Sequence, residues 1–344
     1  MKRKPDKLPI PMILLKDFEQ SYPGCWRWVE HVRDGKGKNL PDWDDLVYIP
    51  LTGTNEILRS KYNSMDTNVS CLYAALASWR QYKEIYSFSP ELVETLFAQA
   101  DEDIVIPNDI LRCMPYQCIF ITTEPGSGFF VFWEQDMKTM EFELRFCVID
   151  DQNKGNGEPH FDILNFWLHL FPGATIGDGI RRGAEIIKGN VKLKHMEYAV
   201  PLNSDEVYDF LTPIVSKLIQ LVLYICADNA EVEESPKTKP YTRKPAPGTP
   251  PKDVFREIRT WDVGVKFASK VKKAREASHD AATPAEYSAG TGSPKRPHTR
   301  RGHWHHYWTG SDRDNTKKLI LKWTAPIFVG GDHEDTIITT INEL

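Results

Sequence analysis

The chain has 344 residues, 41% of them hydrophobic and 26% charged, with ten Trp, thirteen Tyr and sixteen Phe. That composition excludes wholesale disorder, and the length allows one large or two medium domains, each with its own core. The net charge of −5 is too small by itself to imply a nucleic-acid or membrane partner. It is, however, the average of two unlike parts. Residues 231–325 carry 20 Lys/Arg against 11 Asp/Glu, which leaves 23 against 37 for the rest. An acidic body is joined to a basic C-terminal third.

The start, Met1-Lys2-Arg3-Lys4-Pro5, is basic but leads into no apolar run of the length a secretory leader needs. The longest apolar stretch, Leu211 to Ala227, is broken by Ser216, Lys217 and Gln220. Its uninterrupted parts are too short to span a bilayer, so no membrane partner is expected. The six cysteines (Cys25, Cys71, Cys113, Cys118, Cys147 and Cys226) follow no disulfide or zinc-ribbon rhythm. Cys113 and Cys118 form one close pair, with no second pair to complete a four-ligand site. They read as reduced, mostly buried thiols of a cytoplasmic protein.

In chain order, residues 1 to about 60 are aromatic and irregular, and Leu46-Val47-Tyr48-Ile49 reads as a short strand. Leu72, Leu76 and Trp79 recur at helical spacing within a helix expected over 68–85. Ser89-Pro90-Glu91 is a helix start: a hydroxyl cap, Pro at the first position, then an acid that suits the dipole. The middle changes period. Residues 118–122, 129–133 and 142–148 are β-type runs joined by short polar turns, which predicts an antiparallel meander. Helices are expected at 161–170, 176–187 and 204–226. No βαβ alternation is visible, so the fold class is α+β: helices around an antiparallel β meander, with a basic C-terminal region ending in a β hairpin. The expected organisation is an acidic body (1–230), a Pro-rich basic linker (231–252) with six prolines between Ser235 and Lys252, and a basic C-terminal region (253–344).

Residues 296–310 pack four of the ten histidines, three arginines and three large aromatics into one segment. Lys318 to Trp323 then alternates, so the cluster is expected on one arm of a hairpin whose other arm is 318–323. Three readings stand. A metal site would use His303 and His305 from one face, but alternation sends His306 to the other and no Asp, Glu or Cys is near. Nucleic-acid binding would use Arg296, Arg300 and Arg301 on phosphates, with Trp304, Tyr307 and Trp308 stacking on bases. In that setting His298, His303 and His305 would be candidates for acid–base work in metal-independent RNA cleavage. A structural reading has the same side chains dock the basic region onto the acidic body. The glycine-rich 173–179 lacks a phosphate loop's Gly-Lys-Ser/Thr ending and reads as the start of a helix. Nothing in the sequence demands an enzyme, a metal or a cofactor.

The same cluster carries a resemblance. Arg296-Pro297-His298, Arg300-Arg301-Gly302-His303-Trp304-His305, Tyr307-Trp308 and Gly310 resemble the C-terminal signature of the second-numbered family of type V-A anti-CRISPR proteins. Trp323, Pro326, Phe328 and Val329 fit that family's closing strand, whereas Thr299, His306 and Thr309 depart from it. A looser similarity runs from Leu72-Tyr73 through Trp79-Arg80 to Ile85-Tyr86. The resemblance implies a regulatory protein of a mobile element that lowers production of the type V-A effector nuclease. Its partner would be the N-terminal segment of the nascent effector polypeptide, and the message being translated would be lost, with messenger RNA or the ribosome as further partners. On that basis the motif residues are Arg296, His298, Arg300, Arg301, His303, Trp304, His305, Tyr307 and Trp308. A peptide groove with aromatic pockets is expected in the body, its residues unassigned.

Overall fold

A computed structural model of the protein describes residues 8–106, 108–124, 126–153, 160–189, 204–236, 257–280, 298–311 and 317–329. The N-terminal helices are α1 (Ile10–Ser21), α2 (Cys25–Gly35), α3 (Leu51–Tyr62) and α4 (Thr67–Trp79). Helix α4 starts where the Asp66 carboxylate accepts from the backbone N–H of Asn68 (2.8 Å) and Val69 (3.2 Å), which satisfies donors a helix start leaves open. Every residue from Ser70 to Trp79 is buried, so α4 is a core helix with no solvent face. Its end is earlier than the periodicity suggests. The chain turns through Arg80–Lys83, with Lys83 at φ +55°, and Trp79 Nε1 donates to the Glu84 carbonyl at 2.9 Å. Glu84–Phe88 becomes strand β1 instead.

Helices α5 (Pro90–Ala98) and α6 (Asn108–Leu111) lead to β2 (Cys118–Glu124), β3 (Ser127–Gln135), β4 (Phe142–Asp151) and β5 (Phe161–Leu170). The meander is as expected: β2, β3, β4 and β5 pair antiparallel in sequence order. Its fourth strand corrects the reading of 161–170 as a helix. Phe161-Asp162-Ile163-Leu164-Asn165-Phe166-Trp167-Leu168 satisfies both periods because the strand's second half is covered on both faces, which erases polar–apolar alternation. The chain continues with α7 (Ile176–Gly189), α8 (Ser204–Cys226), β6 (Val232–Glu234), β7 (Arg259–Val263) and α9 (Val265–Asp280). It closes with β8 (His298–Arg300), β9 (His303–Thr309), β10 (Lys318–Thr324) and β11 (Ile327–Val329).

The main sheet has the order β5-β4-β3-β2-β1-β7-β6. It is mixed: β1 runs parallel to both β2 and β7, and α5 and α6 cross between β1 and β2. That is one βαβ unit the sequence pattern did not disclose. The fold remains α+β. Leu46–Ile49 is no strand either; its neighbours' amides are held by side chains, with Asp44 N–H on Gln135 Oε1 (2.9 Å) and Leu51 N–H on the Glu134 carboxylate (3.0 Å). The sheet separates two apolar cores. One, with Phe120, Phe130 and Phe132, faces α1–α4; the other, with Phe129, Val131 and Phe146, faces α5–α8. Helix α8 has the length and apolarity to cross a membrane, but Val207, Leu211, Val215, Ile219 and Val222 are buried in the second core.

Helix α7 begins at the glycine-rich stretch in a reciprocal cap: Thr175 N–H donates to Asp178 Oδ2 and Asp178 N–H to Thr175 Oγ1, both at 3.0 Å. These bonds hold the Asp178 carboxyl below its usual range. Its glycines serve packing. A Cβ on Gly179 would lie 2.4 Å from the His169 carbonyl oxygen, and one on Gly183 would lie 1.8 Å from Trp167 Nε1. All six cysteines are free thiols, and Cys113 is the exposed one.

Candidate functional site

The His/Arg/aromatic cluster does form one arm of a hairpin, with β9 antiparallel to β10. The register pairs Trp304 with Trp323, His306 with Leu321 and Trp308 with Leu319 on one face. His303 with Thr324, His305 with Lys322 and Tyr307 with Ile320 occupy the other. The first face is the docking face. Trp323 is 6% exposed, and its indole edge meets Tyr224 (5.4 Å) of α8 and Phe267 (5.3 Å) of α9. Its Nε1 donates to Gln99 Oε1 at 3.0 Å. Trp304 Nε1 donates to Gln220 Oε1 of α8 at 2.7 Å.

Backbone is clamped as well. Asn229 acts like a further strand residue: its Oδ1 accepts from Trp323 N–H (2.9 Å) and its Nδ2 donates to the Trp323 carbonyl (2.8 Å). Asp228 N–H donates to the Leu321 carbonyl at 2.8 Å. Gly302, where β9 begins, is buried, and a Cβ there would lie 2.7 Å from Gln99 Oε1 and 3.0 Å from the Thr324 carbonyl. A side chain here would push on Gln99 and on the Thr324 carbonyl, so glycine suits this close passage. Gln99, Gln220 and Asn229 carry the docking, and sequence reasoning missed them. One signal was present: Gln220 interrupts the apolar run of a core helix, which a buried amide does only with a partner to satisfy.

The second face looks away from the body. His303 and His305 stand 4.4 Å apart between ring centroids, and Tyr307 follows 5.8 Å from His305. Tyr307 is 47% exposed; Arg301, His303 and Lys318 are exposed and His305 is half-buried. Trp308, 64% exposed, projects from the docking face beyond the body, with the Lys317 ammonium 5.2 Å over its ring. Partial burial of its ring, and then His305 beside it, push the His306 imidazole below its usual pKa. His298 and Arg300 lie on β8, opposite Val329 and Ile327 of β11, while Arg296 lies outside the described residues. The structure thus separates the nine motif residues: Trp304 belongs to the docked side, and His303, His305 and Tyr307 to the open side. Among the described residues, no three His, Cys, Asp or Glu side chains gather closely enough to hold a metal ion.

A second titratable group, also missed, lies inside the body. Glu134, Glu143 and His169 stand in one row across β3, β4 and β5, all buried. Arg145 pairs with Glu143 at 2.5 Å, and His169 Nδ1 lies 3.4 Å from Glu143 Oε1. Burial pushes the Glu134 carboxyl up to about 8 against the opposing pull of Arg145; burial lowers the His169 imidazole.

Residues 86–331 match the sequence model of the AcrVA2-like family, described as the anti-CRISPR type V subtype A2 family. The chain belongs to this family. The matched span runs from β1 through the docked hairpin to the end of β11, so it includes the sheet, α5–α9 and both faces of the C-terminal motif. Protein FinQ of Escherichia coli is a relative, 24% identical over 337 residues that cover 92% of this chain and 89% of FinQ. The crystal structure of AcrVA2 superposes with a TM-score of 0.53 at 15% identity, covering 94% of this chain and 100% of that one. The fold is therefore shared over nearly the whole chain, beyond the span that the family model reaches.

Proposed function

We propose that this anti-CRISPR family member lowers production of a type V-A CRISPR effector nuclease by recognising the N-terminal segment of the nascent effector polypeptide and triggering loss of its message. The setting is the cytoplasm of a bacterial host, where that peptide emerges beside RNA. Membership of the type V subtype A2 family over 86–331 carries this reading. The basic hairpin fixed to the body supports it as the part that meets RNA, where phosphate contacts supply affinity without sequence choice. Co-expression with a type V-A effector tests it. Effector message and protein both fall on this reading; unchanged levels of both sink it for that target.

A second reading, an RNA-binding protein or metal-independent ribonuclease using His298, His303 and His305, is favoured by one observation: the His303–His305 ring pair on the open face. Two adjacent imidazoles can serve as acid and base near neutral pH. Purified protein that cleaves RNA, with a His303→Ala/His305→Ala double variant that does not, would establish it.

A further inference from the structure

We infer that the open face of the β9–β10 hairpin is a stacking platform for single-stranded nucleic acid, gripping bases by their ring faces and the backbone by cations. This deepens the RNA-facing part of the proposed function and rests on it for its biological setting; its chemistry stands on the hairpin alone.

Charge comes first. The two arms, residues 298–311 and 317–329, hold Arg300, Arg301, Lys317, Lys318 and Lys322 and no Asp or Glu. The joining residues 312–316 add Asp312, Arg313 and Asp314, which leaves 298–329 with six Lys/Arg against two Asp. Among the described residues, the body carboxylate paired with this hairpin is Asp228, 3.7 Å from the Lys322 ammonium. In a chain of net negative charge, such a segment selects a polyanion. Ring geometry comes second. Alternation places His303, His305 and Tyr307 on one face at centroid spacings of 4.4 and 5.8 Å, the first pair edge-to-face (69°) and the second tilted (39°). Such rings, taken singly, are stacking partners for unpaired bases. The cross-strand neighbours on that face are Ile320 and Lys322, with Lys318 opposite Thr309. Rings along one strand and cations along the other are the two elements of sequence-tolerant single-strand binding. Docking comes third. The opposite face is consumed by Trp304, Leu321 and Trp323 in the body, and the Asn229 clamp fixes the strand. The rings are therefore presented on a rigid support, which limits the ordering entropy of binding. An apolar peptide finds no groove here, since the aliphatic side chain on this face is Ile320 alone.

The test uses the full chain and fluorescein-labelled oligouridylate of about 12 nucleotides, followed by anisotropy, with unlabelled oligothymidylate and duplex RNA as competitors. Oligouridylate binds, oligothymidylate competes comparably because no contact reads the 2′-hydroxyl, and duplex RNA competes at least about tenfold less well. A His305→Ala/Tyr307→Ala variant binds at least about tenfold more weakly at unchanged melting temperature. An Arg301→Ala/Lys318→Ala variant flattens the dependence of log affinity on log salt by about 1.4. Absence of binding, equal competition by duplex, or wild-type affinity in the ring variant would overturn the inference. So would a ring variant that loses capture of the effector's N-terminal peptide while no RNA is bound. The two readings fail separately. RNA binding with unchanged effector levels removes the target and leaves the platform; lowered effector levels without RNA binding do the reverse.

Discussion

Trp323 and Trp304 look alike in the sequence and are unlike in the molecule. Trp323 is enclosed by Tyr224, Phe267 and Gln99, and truncation of a buried aromatic leaves both a cavity and an unpaired acceptor. Trp323→Ala is expected to lower stability by about 3–5 kcal/mol, read by denaturant unfolding. Trp304→Phe keeps a ring and loses only the bond to Gln220, so its expected cost is about 1 kcal/mol. Glu134 gives a pH signature. Burial pushes its carboxyl up to about 8 in the folded protein from an ordinary 4.5, so the folded state holds a proton that the unfolded state has released. Stability therefore falls as pH rises between those values, and the loss is complete above the folded value. His169, lowered by burial, acts in the opposite sense as pH falls below the ordinary imidazole range. Glu134→Gln keeps an acceptor for Leu51 N–H, removes the ionisation, and is expected to be more stable than wild type at pH 8 and to lose that advantage by pH 5. Equal pH profiles for the two proteins would show that Glu134 is not held protonated.

At the level of elements, three close approaches decide the architecture. Gly183 lets α7 lie against Trp167 of β5. Gly183→Ala is expected to destabilise by about 1–3 kcal/mol through overpacking, seen as a lower melting temperature. Gly302 and Asn229 fix the hairpin. Asn229→Ala strands the N–H and carbonyl of Trp323 and is expected to raise amide exchange across β9 and β10 while β2–β4 keep their protection. Much of this was legible beforehand. Alternation in 142–148 and 318–323 gave the meander and the hairpin, and Ser89-Pro90-Glu91 and 204–226 gave α5 and α8, although the Ser89 hydroxyl donates to the Gly264 carbonyl (2.9 Å) instead of capping α5. What escaped was set by tertiary burial. The second half of β5 loses its alternation because both of its faces are covered. The polar Arg80-Gln81 that ends α4 before β1 is hidden in the pattern because Tyr82 and Ile85 continue the helical spacing of Leu72, Leu76 and Trp79. The parallel β1–β7 pairing joins residues far apart in sequence. At the site, the strand and its faces were readable from the order His-Trp-His-His-Tyr-Trp. The docked half was not, because its partners Gln99, Gln220 and Asn229 lie on distant segments.

Across the whole molecule, the split between an acidic body and a basic C-terminal third now has a physical form. The hairpin is held to the body by indoles, amides and backbone bonds, with Lys322–Asp228 as a half-exposed ion pair at 3.7 Å. Exposed pairs of this kind contribute about 0–1 kcal/mol. For the hairpin, docking by opposite charge is thus a minor term, whereas β7 and α9 meet the body through Arg259–Glu84 (3.5 Å) and Lys272–Glu91 (3.2 Å), whose carboxylates are shielded from solvent. The thermal stability of the full chain is expected to change little between low and high salt. The binding of RNA, if phosphates face the same cations, weakens steeply over that range. A stability that fell in parallel with RNA affinity would place the positive charge against the body instead.

On the proposed function, a translated peptide, not a nucleotide sequence, marks the effector message for loss. The most direct measurement is effector message abundance, with and without this protein, for three alleles that differ only in the first coding segment. One is the native allele, one has every codon there replaced synonymously, and one carries compensating frameshifts that preserve nearly all nucleotides and change the peptide. Loss of the first two messages and survival of the third is the predicted result. Survival of the synonymous allele, or loss of the frameshifted one, would contradict it.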